Sequence, residues 1–277
     1  MNTKDAMENY NTICLDLDGT ILALKSDITP FCAAVLKKLS TQMDIILVSA
    51  RIPSGMSYIQ EKVGASAQPI ICYNGAYIVK GEEIIYDKCL PVSLIEELLK
   101  PCNELNIKMG IYSYNDWSVP EDSERIQKEI HNTKTDPVFE ETETTIANLK
   151  KKGKGAHKLM LMGDKESLDQ LEKLLSSDMN DRLVAYRSNN TIIEVAPNDV
   201  SKLDGIKALL GEEALPKVIA FGDNYNDIDM LREVGMGVAV ANARDEVKAV
   251  ADEQTLSCAE DGVPVFLNKY YELGIEQ

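Results

Sequence analysis

The feature that most constrains this chain is a set of short, unbroken apolar runs, each followed at once by polar or acidic residues. Thr12 to Leu15 runs into Asp16, Asp44 to Val48 into Ser49, Gln68 to Cys72 into Tyr73-Asn74-Gly75, and Lys217 to Phe221 into Gly222-Asp223. A strand covered on both faces reads as continuous rather than alternating apolar sequence. Helical patterns separate the first three runs. Phe31 to Leu39 has Thr29 as a ready N-cap and Pro30 at the first turn, and Pro53 to Val63 follows the second run. The rhythm returns after Pro197, with a helix over Ser201 to Leu210 and another over Asp227 to Val234. Strand–helix–strand repetition of this kind predicts an α/β core built as a doubly wound, Rossmann-like parallel sheet.

The middle third departs from that rhythm. Ala76 to Tyr86 reads as a hairpin turning at Lys80-Gly81. Helical periodicity follows over Pro91 to Leu105, and alternation over Ile107 to Tyr114, Arg182 to Arg187 and Thr191 to Val195. This mixture predicts an inserted α+β domain at residues 82–186, with the core made of residues 1–81 and 187–277. Within the insertion, the run Lys150-Lys151-Lys152-Gly153-Lys154 reads as a solvated turn. Trp117, Tyr112 and Tyr114 fit either a pocket or packing, and His157 fits a structural role.

Charge excludes several functions. The 277 residues carry a formal net charge of -16, so the average surface repels nucleic acid and anionic membranes. Six cysteines form no C-x-x-C pair and only two histidines occur, which argues against zinc and redox motifs. Met1 to Asn11 lacks the apolar stretch of a signal peptide, no run reaches membrane-span length, and free thiols suit a reducing compartment. The expectation is a cytoplasmic protein, monomeric or weakly homo-oligomeric.

In open α/β sheets ligands gather beyond the carboxyl ends of the strands, so the residues there can converge. Asp16 and Asp18, two residues apart in Asp16-Leu17-Asp18-Gly19-Thr20, can face one hard cation such as Mg²⁺. Asp16 can also attack phosphorus, and Asp18 can donate and recover a proton. Ser49 can donate a hydrogen bond to a phosphoryl oxygen, with Ala50 beside it and Arg51 near enough to pair with a substrate. Lys202, at a helix start, is disfavoured by the dipole unless carboxylates or phosphate surround it. Asp223 supplies a further ligand for the cation, while Asp227 can support metal-bound water or Lys202 from behind.

Together these segments resemble the haloacid dehalogenase superfamily, and within it the Cof-type phosphatases with a large inserted cap. Asp16-Leu17-Asp18-Gly19-Thr20 is similar to the family's first motif, Ser49-Ala50-Arg51 to the second, Lys202 to the third and Gly222-Asp223-Asn224-Tyr225-Asn226-Asp227 to the fourth. Tyr73-Asn74-Gly75-Ala76 resembles the segment that leads into the cap. The resemblance implies a Mg²⁺-dependent phosphoric monoester hydrolase acting on small phosphorylated metabolites, such as sugar phosphates or phosphorylated cofactors, through an aspartyl-phosphate. It implies Asp16 as nucleophile, Asp18 as general acid/base and Lys202 as charge neutraliser. It further implies metal ligation by Asp16, the Asp18 carbonyl and Asp223, with Asp227 behind them. Phosphate contacts fall to Asp18, Ser49, Ala50, Lys202 and Asn226, and substrate contacts to Thr20, Arg51, Asn74 and Gly75. Leu203 stands where the family usually has glycine after the motif lysine. A phosphosugar mutase of the same superfamily and a protein that is phosphorylated on Asp16 without turnover are the alternatives.

Overall fold

The computed structural model describes residues 9–23 and 26–277, and all side chains among them except that of residue 178. Most of the polar opening segment (residues 1–8) and two positions of the loop after the first strand, Leu24 and Lys25, lie outside the described residues. The strands in chain order are β1 (Thr12–Leu15), β2 (Asp44–Val48), β3 (Ile70–Cys72), β4 (Tyr77–Lys80), β5 (Glu83–Asp87), β6 (Lys108–Ser113) and β7 (Asp116–Val119). They continue with β8 (Val138–Phe139), β9 (Lys158–Met162), β10 (Leu183–Asn189), β11 (Ile192–Pro197), β12 (Val218–Gly222), β13 (Met236–Ala239) and β14 (Glu253–Gln254).

Two compact units divide them. The first holds the described residues through Tyr86 together with Ser201–Gln277, and the second holds Asp87–Val200. The sequence reading placed these borders at 81/82 and 186/187. The two units meet at 86/87 and 200/201; near the second border, Ile192 to Val195 of β11 pair along β9, which ties that segment to the insertion.

The first unit contains a sheet in the order β14-β13-β12-β1-β2-β3-β4-β5. β1 pairs in parallel with β12 on one side and β2 on the other, and β2 with β3, whereas β3 and β4 run antiparallel. Ile13, Cys14 and Leu15 are fully buried, as the unbroken apolar run requires of a central parallel strand. Burial of each such aliphatic side chain stabilises the fold by roughly 1.5–3 kcal/mol. The helix Pro30–Leu39 starts as expected, with the Thr29 hydroxyl accepting the Cys32 N–H at 3.0 Å. Because β12, β1, β2 and β3 are parallel neighbours, the polar residues that follow each of them emerge at one edge.

The second unit is a sheet in the order β10-β11-β9-β6-β7-β8. Alternate residues Met109, Ile111, Leu159, Leu161, Ile193 and Val195 face one side. They pack with Leu94, Ile95 and Leu98 of the helix Val92–Glu104, Ile146 and Leu149 of Thr142–Lys152, and Leu168 and Leu171 of Lys165–Leu174. The run Lys150-Lys151-Lys152 is the last turn of a helix, not a turn, and Gly153 closes it at φ 64°. Cations there complement the carbonyl end of the helix dipole. Trp117 is 2% exposed and stacks on Tyr112 with ring centroids 5.2 Å apart, so both are packing residues. No helix among the described residues is long and apolar enough to cross a membrane.

Candidate active site

Asp16 follows β1 directly and is 5% exposed. Both of its carboxylate oxygens are held. Lys202 Nζ donates to Oδ1 at 2.6 Å and the Thr20 hydroxyl donates to Oδ2 at 2.7 Å. Thr20 reaches back because Gly19 turns the chain at φ +90°, and a Cβ on Gly19 would lie 2.4 Å from Asp223 Oδ2. Glycine therefore allows both the turn and the close approach of Asp223.

Lys202 is the first residue of the helix Lys202–Leu210 and is 1% exposed. Ser201 caps that helix, its hydroxyl accepting the Asp204 N–H at 3.1 Å. The ammonium also donates to Asp227 Oδ1 at 2.6 Å. Two carboxylates thus outweigh the adverse dipole at this position. Leu203, in the place expected for glycine, is buried, and the close backbone approach occurs elsewhere. A Cβ on Gly205 would lie 2.8 Å from Gly75 Cα, and one on Gly75 would lie 2.1 Å from Ser201 O. This Gly75–Gly205 crossing brings the Lys202 helix onto the loop after β3. The sequence reading missed Gly205, although its spacing three residues beyond Lys202 on the same helix is a visible signal.

Asp227 is fully buried. Its Oδ2 accepts the backbone N–H groups of Asp223 and Asn224, both at 3.0 Å, while Oδ1 takes Lys202. It therefore shapes the loop after β12 and orients the lysine. Asp223 stays partly open and receives a long contact of 3.5 Å from the Thr20 hydroxyl. Asn242, which the sequence reading also missed, donates to Gly19 O at 2.8 Å and accepts the Cys258 N–H at 2.7 Å. It pins the Asp16–Thr20 loop to the C-terminal part of the unit.

The remaining candidates form a second group beside the first. Ser49 directly follows β2, is 2% exposed, and its hydroxyl accepts the Arg51 N–H at 3.2 Å; Ala50 lies between them. Arg51 is buried and its guanidinium forks onto Asp18, with Nε to Oδ2 and Nη2 to Oδ1 both at 2.8 Å. Asn74, in the left-handed region at φ 55°, accepts from Asn226 Nδ2 at 3.0 Å. Arg51 and Asn226, expected at phosphate or substrate, are thus engaged with protein partners here.

One carboxylate oxygen from each of Asp16, Asp223 and Asp227 lies within 4.8 Å of the other two. Burial pushes the Asp16 carboxyl up to about 8; Lys202 opposes that, and Asp227 and Asp223 add to it. Burial, then Asp227, pushes Asp223 up to about 6. Three carboxylates against the Lys202 ammonium leave the pocket short of positive charge. An all-oxygen donor set of this kind fits a hard divalent cation. With Asp227 already accepting three hydrogen bonds, Asp16 and Asp223 are the better-placed ligands.

A different group, Asp87, Cys89 and His157 in the second unit, also has metal-ligand composition. Its hydrogen bonds argue otherwise. The Tyr114 N–H donates to His157 Nδ1 at 3.0 Å, so the ring proton sits on Nε2 and points at Asp87 Oδ1, 3.0 Å away. A ligand nitrogen needs a lone pair in that direction. Tyr114 OH and Cys89 Sγ also bond Asp87, at 2.6 and 3.1 Å, which makes a carboxylate-centred structural knot.

Comparison with known proteins gives the family. The family profile of haloacid dehalogenase-like hydrolases matches residues 13–267. YkrA of Bacillus subtilis, which bears a phosphatase name, is 31% identical over 257 residues, covering 91% of this chain and 94% of that protein. The 5-amino-6-(5-phospho-D-ribitylamino)uracil phosphatase YitU of the same organism is 26% identical over 275 residues, with 94% and 97% coverage. The crystal structure of a haloacid dehalogenase-like hydrolase from Bacteroides thetaiotaomicron superposes with a TM-score of 0.85 at 27% identity, covering 94% of this chain and 99% of that one. The chain belongs to the haloacid dehalogenase-like hydrolases, and within them to the phosphatases of Cof type.

Proposed function

We propose that this protein is a cytoplasmic, Mg²⁺-dependent phosphatase that hydrolyses small phosphorylated metabolites through an aspartyl-phosphate on Asp16. The observation that carries the reading is the Asp16 carboxylate, buried at the end of the central strand with one oxygen on Lys202 and the other on Thr20. A nucleophile fixed at both oxygens loses little freedom when it reacts. Lys202 holds positive charge beside the carboxylate and the incoming phosphoryl group, where fixed charge lowers the barrier most. Asp16 forms the new P–O bond as the ester P–O bond breaks. Asp18 gives its proton to the departing oxygen and later takes one from the water that releases phosphate. Asp16, Asp223 and the Asp18 carbonyl would hold the metal in this reading, and Mg²⁺ would supply the positive charge that the carboxylate pocket lacks.

Ser49 and Ala50 just after β2, and Asn226 after β12, are the proposed phosphate-binding positions. The unit Asp87–Val200 is the proposed cap, restricting substrates to small molecules. The phosphorylated substrate after which YitU is named is an example of the class. Turnover of p-nitrophenyl phosphate with Mg²⁺, compared with Asp16→Asn, tests the reading. Loss of at least ~10³-fold is expected for removal of a nucleophile; equal rates in the two proteins would overturn the mechanism.

A further inference from the structure

We infer that Arg51 is a positioning residue for Asp18, not a substrate ligand. This rests on the reading of Asp18 as general acid/base given above. The guanidinium is 5% exposed, and its partners come from its own unit. Nε and Nη2 fork onto the two Asp18 oxygens at 2.8 Å each, while Nη1 donates to Gly55 O at 3.2 Å and to Tyr58 OH at 3.3 Å. Tyr58 in turn donates to Ser26 O at 2.9 Å. The backbone on either side is fixed as well. The Arg51 N–H goes to Ser49 Oγ at 3.2 Å, and the Arg51 carbonyl accepts the Tyr73 N–H at 3.3 Å. A substrate phosphate could take the fork only by displacing Asp18.

The Asp18 side chain is 40% exposed, in contrast to the buried arginine. The rigid partner therefore holds the movable one. A planar fork fixes both the position and the rotation of a carboxylate, which an ammonium cannot do. Asp18 needs that control, because it must reach the departing oxygen and then the attacking water with the same group. Arg51 sets where Asp18 rests, and the Tyr58–Ser26 link sets where Arg51 rests.

The chemistry gives a selective test. When an alkyl phosphate reacts, Asp16 bonds to phosphorus, the ester P–O bond breaks, and the Asp18 proton passes to the alkoxide oxygen. When p-nitrophenyl phosphate reacts, the phenolate leaves as the anion and that proton is not required. In kcat/KM, which reports the steps through departure of the leaving group, Arg51→Met should hurt β-glycerophosphate far more than p-nitrophenyl phosphate. We expect the ratio of the two constants to fall by about tenfold, a fraction of the ~10²–10⁴ that general acid catalysis supplies. Arg51→Lys should recover less than half of this on a logarithmic scale, since it restores charge without the fork. Tyr58→Phe, which loosens the arginine without removing it, should move the ratio the same way by a smaller factor. In an Asp18→Ala background, Arg51→Met should have no further effect on the ratio.

Equal losses on both substrates, a rise in KM alone, or additive losses in the Asp18→Ala background would overturn the assignment. Asp16→Asn distinguishes the two failures. If it kept wild-type turnover, the aspartyl-phosphate reading would fall. If it were dead while the substrate ratio stayed fixed in the Arg51 variants, only the positioning role would fall.

Discussion

His157 should make the second unit acid-sensitive in a defined window. Its ring is fully buried, and burial pushes its pKa down to about 4 from an ordinary 6.5, against the pull of Asp87. The proton on Nε2 and the acceptor at Nδ1 are both used, so the contact with Asp87 is a hydrogen bond from a neutral imidazole to a carboxylate, not an ion pair. For a base whose folded pKa is depressed, the unfolded chain binds the proton first as pH falls. Stability is therefore unaffected above about pH 6.5, declines between 6.5 and 4, and loses nothing further from this group below 4. The full shift corresponds to about 3 kcal/mol, and about 2 kcal/mol of it falls between pH 7 and pH 5. The chain has one tryptophan, Trp117, and it lies buried in this unit. Urea unfolding of the full chain followed by its fluorescence thus reports on the unit that contains His157. With a typical urea slope of 1–3 kcal/mol/M, the midpoint should drop by about 1 M between pH 7 and pH 5. In His157→Gln the protein should be less stable at pH 7 and nearly flat over that range. A flat wild-type profile, or the same slope in the variant, would refute the argument. Asp87, whose carboxyl lies below its ordinary value, contributes its own loss only at lower pH, so the two windows separate.

Other perturbations follow from the same contacts. Lys202→Met removes the ammonium from two buried carboxylates; stability in metal-free buffer should fall by about 3–5 kcal/mol in chemical denaturation, and turnover should fall by ~10²-fold or more. Gly75→Ala puts a methyl 2.1 Å from Ser201 O at a φ of +101°; it should cost at least ~1–3 kcal/mol and reduce activity by displacing Lys202, whereas Gly81→Ala, with nothing within 4 Å and the milder φ of +59°, should cost about 1 kcal/mol or less. Chelation with EDTA should abolish turnover of p-nitrophenyl phosphate, and added Mg²⁺ should restore it, with Asp223→Asn requiring more metal for half-recovery.

The core sheet was legible because its strands are short and apolar on both faces, so each announces its own end. β1, β2, β12 and their following polar residues sit where the runs stop. The insertion was less legible. β7 is only Asp116–Val119, with an exposed aspartate at its start, too short for an alternating pattern to declare itself. The helix Thr142–Lys152 has five threonine, asparagine and glutamate positions in its first seven residues and no side-chain cap, so its lysine-rich last turn reads as a loop. The border at residue 200 was hidden for a further reason. β10 and β11 look like any hairpin, and only the pairing of β11 with β9 decides which unit owns them.

The same division applies within the site. Sequence marks the carboxylates and Lys202, because charged residues at apolar strand ends and helix starts are anomalous locally. It does not mark their compensations, which depend on distance in space. Arg51 sits 33 residues from Asp18 and Asn74 sits 152 from Asn226, so neither pairing has a local signature. Sequence alone points both side chains at substrate, since a cation or amide near a phosphate site has an obvious use there. A buried guanidinium, however, must have its donors matched before it can serve anything else. The Asp18 fork, Gly55 and Tyr58 take those donors, which makes the arginine part of the apparatus that aims the acid rather than part of the surface that grips the ester.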